Sequence, residues 1–305
     1  MSQIDSAVGT EPAVRPAPAS LAGSTRAPTL APGDVEGLVA AARRIRVRAV
    51  RMIAPMGLGY LGQALSSAEL FAVLYRSVLR HGVDRFVLSP GHYVIAHYAA
   101  AVEAGLLDED ALAAYGADGS WLETISTERT PLVSATCGAL GQGLSVAVGF
   151  ALAARLDAEK RRTYAFVSDG ELEEGQTWEA AMFAAHHKLG SLTVLLDCNN
   201  SQVDGPVDHV TTIEPIVGKW ASFGWHAVEC DGHDVSAIGA ALTSAADDER
   251  PSVLVARTRA TAGIPSLGAT RDAHFIKLSP EAAEAALADL AAGFAIRAAG
   301  EGAPR

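Results

Sequence analysis

Residues 168–205 read SDGELEEGQTWEAAMFAAHHKLGSLTVLLDCNNSQVDG, and their order decides the fold. TYAFV at 163–167, just before this stretch, and LTVLL at 192–196 within it have the length and content of buried strands. The segment 176–189 between them predicts a helix, with Gly190 placed to end it as the residue after the C-cap. Strand, helix and strand in that order make a parallel crossover unit. Each strand empties into a polar knot: an acidic cluster from Asp169 to Glu174, then Asp197-Cys198-Asn199-Asn200.

The same alternation extends in both directions. Further strands are predicted at 85–89, 226–230 and 252–257, with helices at 140–156 and 235–246. An earlier helix runs from Asp34, as N-cap, to about Ile53. Ser66-Ser67-Ala68-Glu69 has capping-box spacing ahead of a helical LFAVLYRSVL. The fold class is α/β, a parallel sheet covered by helices on both faces. Ligands of such sheets bind beyond the carboxyl ends of the strands, where both knots fall. No internal repeat is visible.

Composition narrows the partners. The 305 residues are 49% hydrophobic with a formal net charge of −11, which argues against nucleic acid. Cys137, Cys198 and Cys230 are scattered and fit neither a zinc site nor a disulfide framework. No apolar run suits a membrane span and no secretory signal is apparent, so the expected location is cytoplasmic. Residues 1–33, rich in Ala, Pro, Ser, Gly and Thr, are expected to form a disordered arm. One domain is expected over 34–296, and 297–305 as a flexible tail.

The knots have two readings. Asp-Gly and Asn-Asn are ordinary turn formers after strands. Found together at the ends of successive strands, they also bring a carboxylate and a carboxamide to one sheet edge. With a loop carbonyl they form an all-oxygen site suited to Mg²⁺ or Ca²⁺. Magnesium keeps positions open for phosphate oxygens, so a diphosphate-bearing ligand completes it. Gly170 would let the backbone approach that diphosphate, and the following helix offers an N-terminus to an anion.

Asp169-Gly170 followed by Asn199-Asn200 resembles the thiamine-diphosphate signature, and the surrounding words narrow the resemblance to transketolase. The opening stretch, DRFVLSPGHY (84–93), CGALGQGLSVAVGFALA (137–153), KWASFGWHAVECDGHD (219–234) and RDAHFIKLSP (271–280) are similar to that family's blocks, in order, over about residues 40–290. The resemblance implies a thiamine-diphosphate-binding fold. It implies metal ligation by Asp169, Asn199 and the Ser201 carbonyl. Gly138 and Leu140 match positions lining the aminopyrimidine and diphosphate, and Ser168, replacing a family glycine, sits beside that diphosphate with Gly170. His92 matches a histidine beside the thiazolium, and His274 one near diphosphate and substrate. Glu174 matches a glutamate at the dimer interface that couples paired sites. Glu171 and Glu173 are read as a solvated face without a role, and His186, His187 and His226 as structural.

Two departures concern substrate. The family block S-G-H-P-G-G-S aligns with LGYLGQA (58–64), placing Tyr60 where a substrate-contacting histidine should stand, and LETISTE (122–128) lacks the histidine of a G-H-P block. Imidazole accepts, donates and relays protons near neutral pH, whereas tyrosine is a poor base. The usual sugar phosphates are therefore in question, with carrier-bound (acyl-carrier, lipoyl) or non-phosphorylated acceptors as candidates. The resemblance covers only the diphosphate-binding half of the family's length. It implies a C-terminal partner subunit carrying the pyrimidine-binding domain and its glutamate, in a heterotetramer that transfers a two-carbon ketol unit from a ketose. A 2-oxo-acid-utilising component and a non-catalytic scaffold remain open as rivals.

Overall fold

The computed structural model describes residues 32–268 and 273–293. Most of the arm expected over 1–33, and the tail expected over 297–305, lie outside them. The chain enters through α1 (Pro32–Ile53), β1 (Leu58–Gly59) and α2 (Leu61–Val73), then passes to β2 (Arg85–Leu88) and α3 (Val94–Glu103). A long excursion leads to β3 (Ala135–Thr136), α4 (Gly143–Leu156), β4 (Thr163–Ser168), α5 (Gly175–His186) and β5 (Leu192–Cys198). The remaining elements are α6 (Val207–Val210), α7 (Ile216–Ser222), β6 (His226–Asp231), α8 (Val235–Asp247), β7 (Ser252–Arg257), β8 (Ile276–Lys277) and α9 (Pro280–Ala292).

The six-stranded sheet has the order β3-β2-β4-β5-β7-β6 with every pairing parallel. The expected α/β architecture is thus present. Side chains alternate across the sheet as the two-residue period demands: Tyr164 and Phe166 of β4 join a core with α1, α2, α3 and α8, while Ala165 and Val167 join one with α4, α5 and α7. In register, Ser168 stands beside Asp197, so the two knots leave adjacent strands at the same edge. Among the described residues no helix is long and apolar enough to cross a membrane.

Three local expectations are corrected. Helix α1 begins at Pro32, with Asp34 inside its first turn rather than capping it; a carboxylate is favourable there as well. Ser66-Ser67-Ala68-Glu69 is no capping box, because α2 begins at Leu61 and all four residues are buried within it. Their polar groups serve long-range contacts: Ser66 donates to Asp197, and Glu69 pairs with Arg46, the guanidinium nitrogens 2.6 and 2.7 Å from its oxygens. Gly190 does not end α5, which stops at His186, with Lys188 taking the left-handed turn at φ 47°. Glycine is needed at 190 for proximity, since a Cβ there would stand 2.5 Å from the Glu249 carbonyl oxygen.

Candidate functional site

Helix α2 lies along the carboxyl edge and organises it. Tyr60, Gln63, Ser66 and Glu69 recur every three residues, a spacing that makes successive members neighbours while the set winds about half way round the helix, roughly 60° per step. Each grips a different element. The Tyr60 ring lies 5.1 Å from that of His92, 5.6 Å from His274 and 4.9 Å from Phe275. Gln63 Nε2 is 2.7 Å from His274 Nδ1. Ser66 meets Asp197 and Asn199. Glu69 Oε2 lies 3.1 Å from His233 Nδ1, while His233 Nε2 accepts from the Arg259 amide on the loop after β7. A Cβ on Gly62 would stand 1.8 Å from the Ala273 carbonyl oxygen, so only glycine lets α2 approach the His274 segment this closely. The antiparallel pairing of β1 with β8 holds the same two segments together.

The β4 and β5 exits form the second wall. The Asp169 amide donates to the Asp197 carbonyl at 3.0 Å, and the Asn200 amide donates to Asp169 Oδ2 at 2.7 Å. Asn199 Oδ1 accepts from the Ser201 amide at 2.9 Å, and His274 Nδ1 lies 3.3 Å from the Ser201 carbonyl. Asp169 is thus tied to the Asn199–Ser201 turn through the Asn200 amide, and that turn to His274. Asn199, Asn200 and Ser201 line a cleft of about 550 Å³ with Arg259 and Thr261. Asp169 and Asn200 line a smaller one of about 260 Å³ with Glu214 and Arg257.

Electrostatics distinguishes these groups. Asp169 is 3% exposed and makes no ion pair among the described residues. Burial, then the Asp197 charge, pushes it up to about 7. A carboxylate desolvated without a counter-charge is what a divalent cation would relieve. The described residues contain no cluster of three or more His, Cys, Asp or Glu able to hold a metal. A cation here would rest on one carboxylate with amide and carbonyl oxygens, the donor set the sequence points to. His92 is lowered to about 3 by burial and then by His274, so its imidazole is neutral around pH 7.

The remaining expected residues are spread more widely. Gly138 and Leu140 are exposed on the loop before α4. A Cβ on Gly138 would meet nothing within 4 Å, and one on Gly170 only Gln202 at 3.7 Å; the chain's own packing demands neither glycine. Gly170 opens a single 3₁₀ turn, Gly170–Glu173, so the α5 N-terminus does not follow Asp169 directly. Ser168 is 6% exposed, and its amide donates to Glu171. Glu174 caps α5 from an exposed position, its Cβ 2.6 Å from where a Cβ of Gly141 would stand.

Glu171 overturns its reading as a solvated residue. It is fully buried and accepts from the Ser89 hydroxyl, the Gly141 amide at 2.9 Å and the Ser168 amide at 3.1 Å. It thereby ties the exits of β2 and β4 to the loop that carries Gly138 and Leu140. Burial pushes it up to about 7 against those donors. An acidic run in a turn carries no signal of this inward rotation. Asp197 did carry one, as a charge closing the apolar run LTVLL. LETISTE lies beside the segment that carries His92, with Ser126 Oγ and Ile125 Cγ2 at 2.7 and 3.0 Å from a Cβ built on Gly91.

Comparison with known proteins gives the family. The family described as transketolase, thiamine diphosphate binding domain, matches residues 39–297. An uncharacterised transketolase family protein of Sinorhizobium fredii is 41% identical over 251 residues, which cover 79% of this chain and 90% of that protein. A 6-deoxy-6-sulfo-D-fructose transketolase subunit of a Clostridium species is 36% identical over 256 residues, covering 81% and 93%. The transketolase structure from Campylobacter jejuni superposes with a TM-score of 0.76 at 25% identity, over 84% of this chain and 43% of that one. The chain thus spans nearly the whole of two shorter relatives but less than half of the Campylobacter enzyme. It belongs to the transketolase family, as its thiamine diphosphate binding domain.

Proposed function

We propose that this chain is the cofactor-binding subunit of a two-component transketolase that takes a two-carbon ketol unit from a non-standard ketose. The observation that supports the proposal is that the Asp169 turn and the Asn199–Ser201 turn leave adjacent strands at one edge and are linked by the Asn200 amide on the Asp169 carboxylate. Asp169, Asn199 and the Ser201 carbonyl would hold Mg²⁺, or Ca²⁺ in its place, and through it the diphosphate, with Ser168 and Gly170 beside it and Gly138 and Leu140 toward the aminopyrimidine. Thiamine diphosphate, when bound, supplies the electron sink for the cleaved carbon–carbon bond, while the protein binds, orients and excludes water. His92 enters neutral and can either donate to or accept from a substrate hydroxyl. His274, beside Gln63 and Ser201, would stand near substrate and diphosphate.

Tyr60, at the centre of the His92–His274–Phe275 cluster, motivates the non-standard donor. It presents a hydroxyl and an aromatic face where the family pattern has an imidazole. The related Clostridium subunit is named for a sulfonated ketose, which supports an unusual sugar here. A partner carrying the pyrimidine-binding domain and its glutamate is supported by that relative's being a subunit of similar length. The apolar surface of α4 and α5 also supports one: Val146, Leu156, Met182 and Phe183 are exposed. Glu174, on the same side, would couple sites across the assembly as a heterotetramer.

The test co-purifies the chain with its partner subunit and adds thiamine diphosphate, Mg²⁺ and a panel of phosphorylated, sulfonated and unsubstituted ketoses, with ferricyanide to intercept the cleaved unit. Ferricyanide reduction with at least one ketose is expected, falling about 10³-fold or more in Asp169→Ala, the loss of a metal ligand. Consumption of a 2-oxo acid but no ketose would replace the donor. Failure to bind cofactor in the complex would make the chain a scaffold.

A further inference from the structure

Asn199 has one amide oxygen to offer a cation, and its orientation is decided by a buried hub behind it. Asp197 is fully buried, and among the described residues its hydrogen-bond donors are hydroxyls and an amide rather than a cationic side chain. Its Oδ2 accepts from Ser66 Oγ at 2.6 Å, from Tyr93 Oη at 2.9 Å and from Asn199 Nδ2 at 3.0 Å, and its Oδ1 accepts from Thr258 Oγ1. Asn199 Nδ2 also lies 3.1 Å from Ser66 Oγ and 3.0 Å from Tyr93 Oη, its two protons shared among these three oxygens. The proton inventory is restrictive. A hydroxyl has one proton, and those of Ser66 and Tyr93 are both spent on Asp197. Only lone pairs then face Asn199. An amide oxygen turned toward them would meet three acceptors, so the NH₂ group must point inward and Oδ1 outward, where it accepts from the Ser201 amide.

The geometry points to Asp197 as the positioning residue that fixes the Asn199 amide with its oxygen toward the cation. This deepens the cofactor-binding reading above and rests on it. Asp197 touches neither cation nor substrate in this scheme; it acts through two hydroxyls and an amide, as outer-shell partners of metal ligands do. The elements involved are α2 through Ser66, the turn after β2 through Tyr93, β5 through Asp197 and the exit of β7 through Thr258. The whole sheet edge is thereby committed to one amide rotamer. A buried carboxylate with no cation is costly, and an apolar side chain in this strand would pack without that cost. Orientation of the ligand is what the charge contributes.

Two variants separate the role from general packing. Asp197→Leu removes the acceptor, freeing the Ser66 and Tyr93 protons to turn toward Asn199. Asp197→Asn keeps one oxygen for them. In the complex with the partner subunit, the Mg²⁺ concentration that half-saturates thiamine diphosphate binding is measured by calorimetry, and unfolding is measured without metal or cofactor. Asp197→Leu is expected to raise half-saturating Mg²⁺ by about 10- to 100-fold, the usual range for outer-shell losses, with cofactor still binding fully at high Mg²⁺. Asp197→Asn should recover most of that affinity. If Asp197→Leu does not fold, the Ser66→Ala and Tyr93→Phe double variant keeps the carboxylate and removes two acceptors, and a several-fold rise is expected. An unchanged Mg²⁺ requirement in a folded variant overturns the inference alone. A wild-type complex that binds no thiamine diphosphate at any Mg²⁺ concentration overturns the functional reading, and this inference with it.

Discussion

Behind the sheet, α1, α2, α3 and α8 seal a core in which Phe71 stacks on Phe166 at 4.7 Å and packs edge-on to Phe86. In front, α4 and α5 bury Ala147, Ala151, Ala181 and Ala184 against the sheet but leave Leu156, Met182 and Phe183 exposed at 73, 52 and 44%. The polar interior differs as well. Arg46, Glu69 and His97 are buried and paired on the sealed side, whereas the buried Glu171 beside α4 and α5 is held by hydroxyl and amide donors. One face has been finished within the chain. The other retains apolar surface of the kind that marks an interaction site, and the edge between them carries the proposed cofactor corner. The sealed face should therefore answer to conditions that disturb buried polar groups, and the open face to mutations that disturb assembly.

The largest expected effect lies on the sealed side and depends on pH. His97 is fully buried, with Nδ1 against Tyr75 Oη and Nε2 against the Pro131 carbonyl. Burial lowers it to about 4 from 6.5. Between those values the unfolded chain takes up a proton that the folded chain refuses. The stability that neutral His97 contributes is thus present above pH 6.5 and lost as pH falls through 4. The difference amounts to about 3 kcal/mol at most. Asp169 and Glu171, both raised, drift the opposite way, so the wild-type curve alone is ambiguous. The measurement is urea unfolding of wild type and His97→Gln from pH 7 to 4. The wild type's advantage should shrink across that window, and a constant gap would show His97 to be uncoupled from protons.

How much of this contrast was legible in the sequence follows from which interactions are local. The sheet was, because TYAFV and LTVLL carry their strand pattern within five residues and the crossover rule supplies the rest. The placing of Asp169 and Asn199 at adjacent strand ends was too, since both are turn formers that follow apolar runs. Ser66-Glu69 misled because capping spacing is local evidence, whereas their partners Asp197 and Arg46 are 131 and 23 residues away. Glu171 was illegible for a different reason. A 3₁₀ turn rotates it inward while Glu173 and Glu174 stay out, and nothing in the run Glu171-Leu172-Glu173-Glu174 distinguishes the first glutamate from the others.

The open face sharpens the comparison at an intermediate magnitude. Phe183→Asp places a charge on exposed α5 surface, where substitutions usually change stability by less than about 0.5 kcal/mol. If the surface is covered by the partner subunit, the same change should weaken association by about 30-fold, or about 2 kcal/mol, as loss of an aromatic anchor does. Unfolding of the isolated chain and affinity for the partner are measured side by side. Unchanged stability with retained affinity would make α5 an ordinary solvated helix and move the interface elsewhere.

The smallest effect falls on the edge between the faces. Tyr60 touches the core of neither side; its ring packs on His92, His274 and Phe275, and its hydroxyl is the feature that distinguishes it from phenylalanine. Tyr60→Phe keeps the packing and removes the hydroxyl. If that hydroxyl takes the place of an imidazole in contacting the donor, kcat/KM should fall about tenfold, one hydrogen bond's worth of about 1.4 kcal/mol, with unfolding unchanged. Tyr60→His then gives the sign of the specificity. It should lower kcat/KM for this enzyme's own ketose and raise it for xylulose 5-phosphate, shifting the ratio between them further than either value alone. Equal activity of Tyr60→Phe and wild type on every ketose in the panel would reduce Tyr60 to an aromatic spacer, and the choice of donor would then rest with the partner subunit.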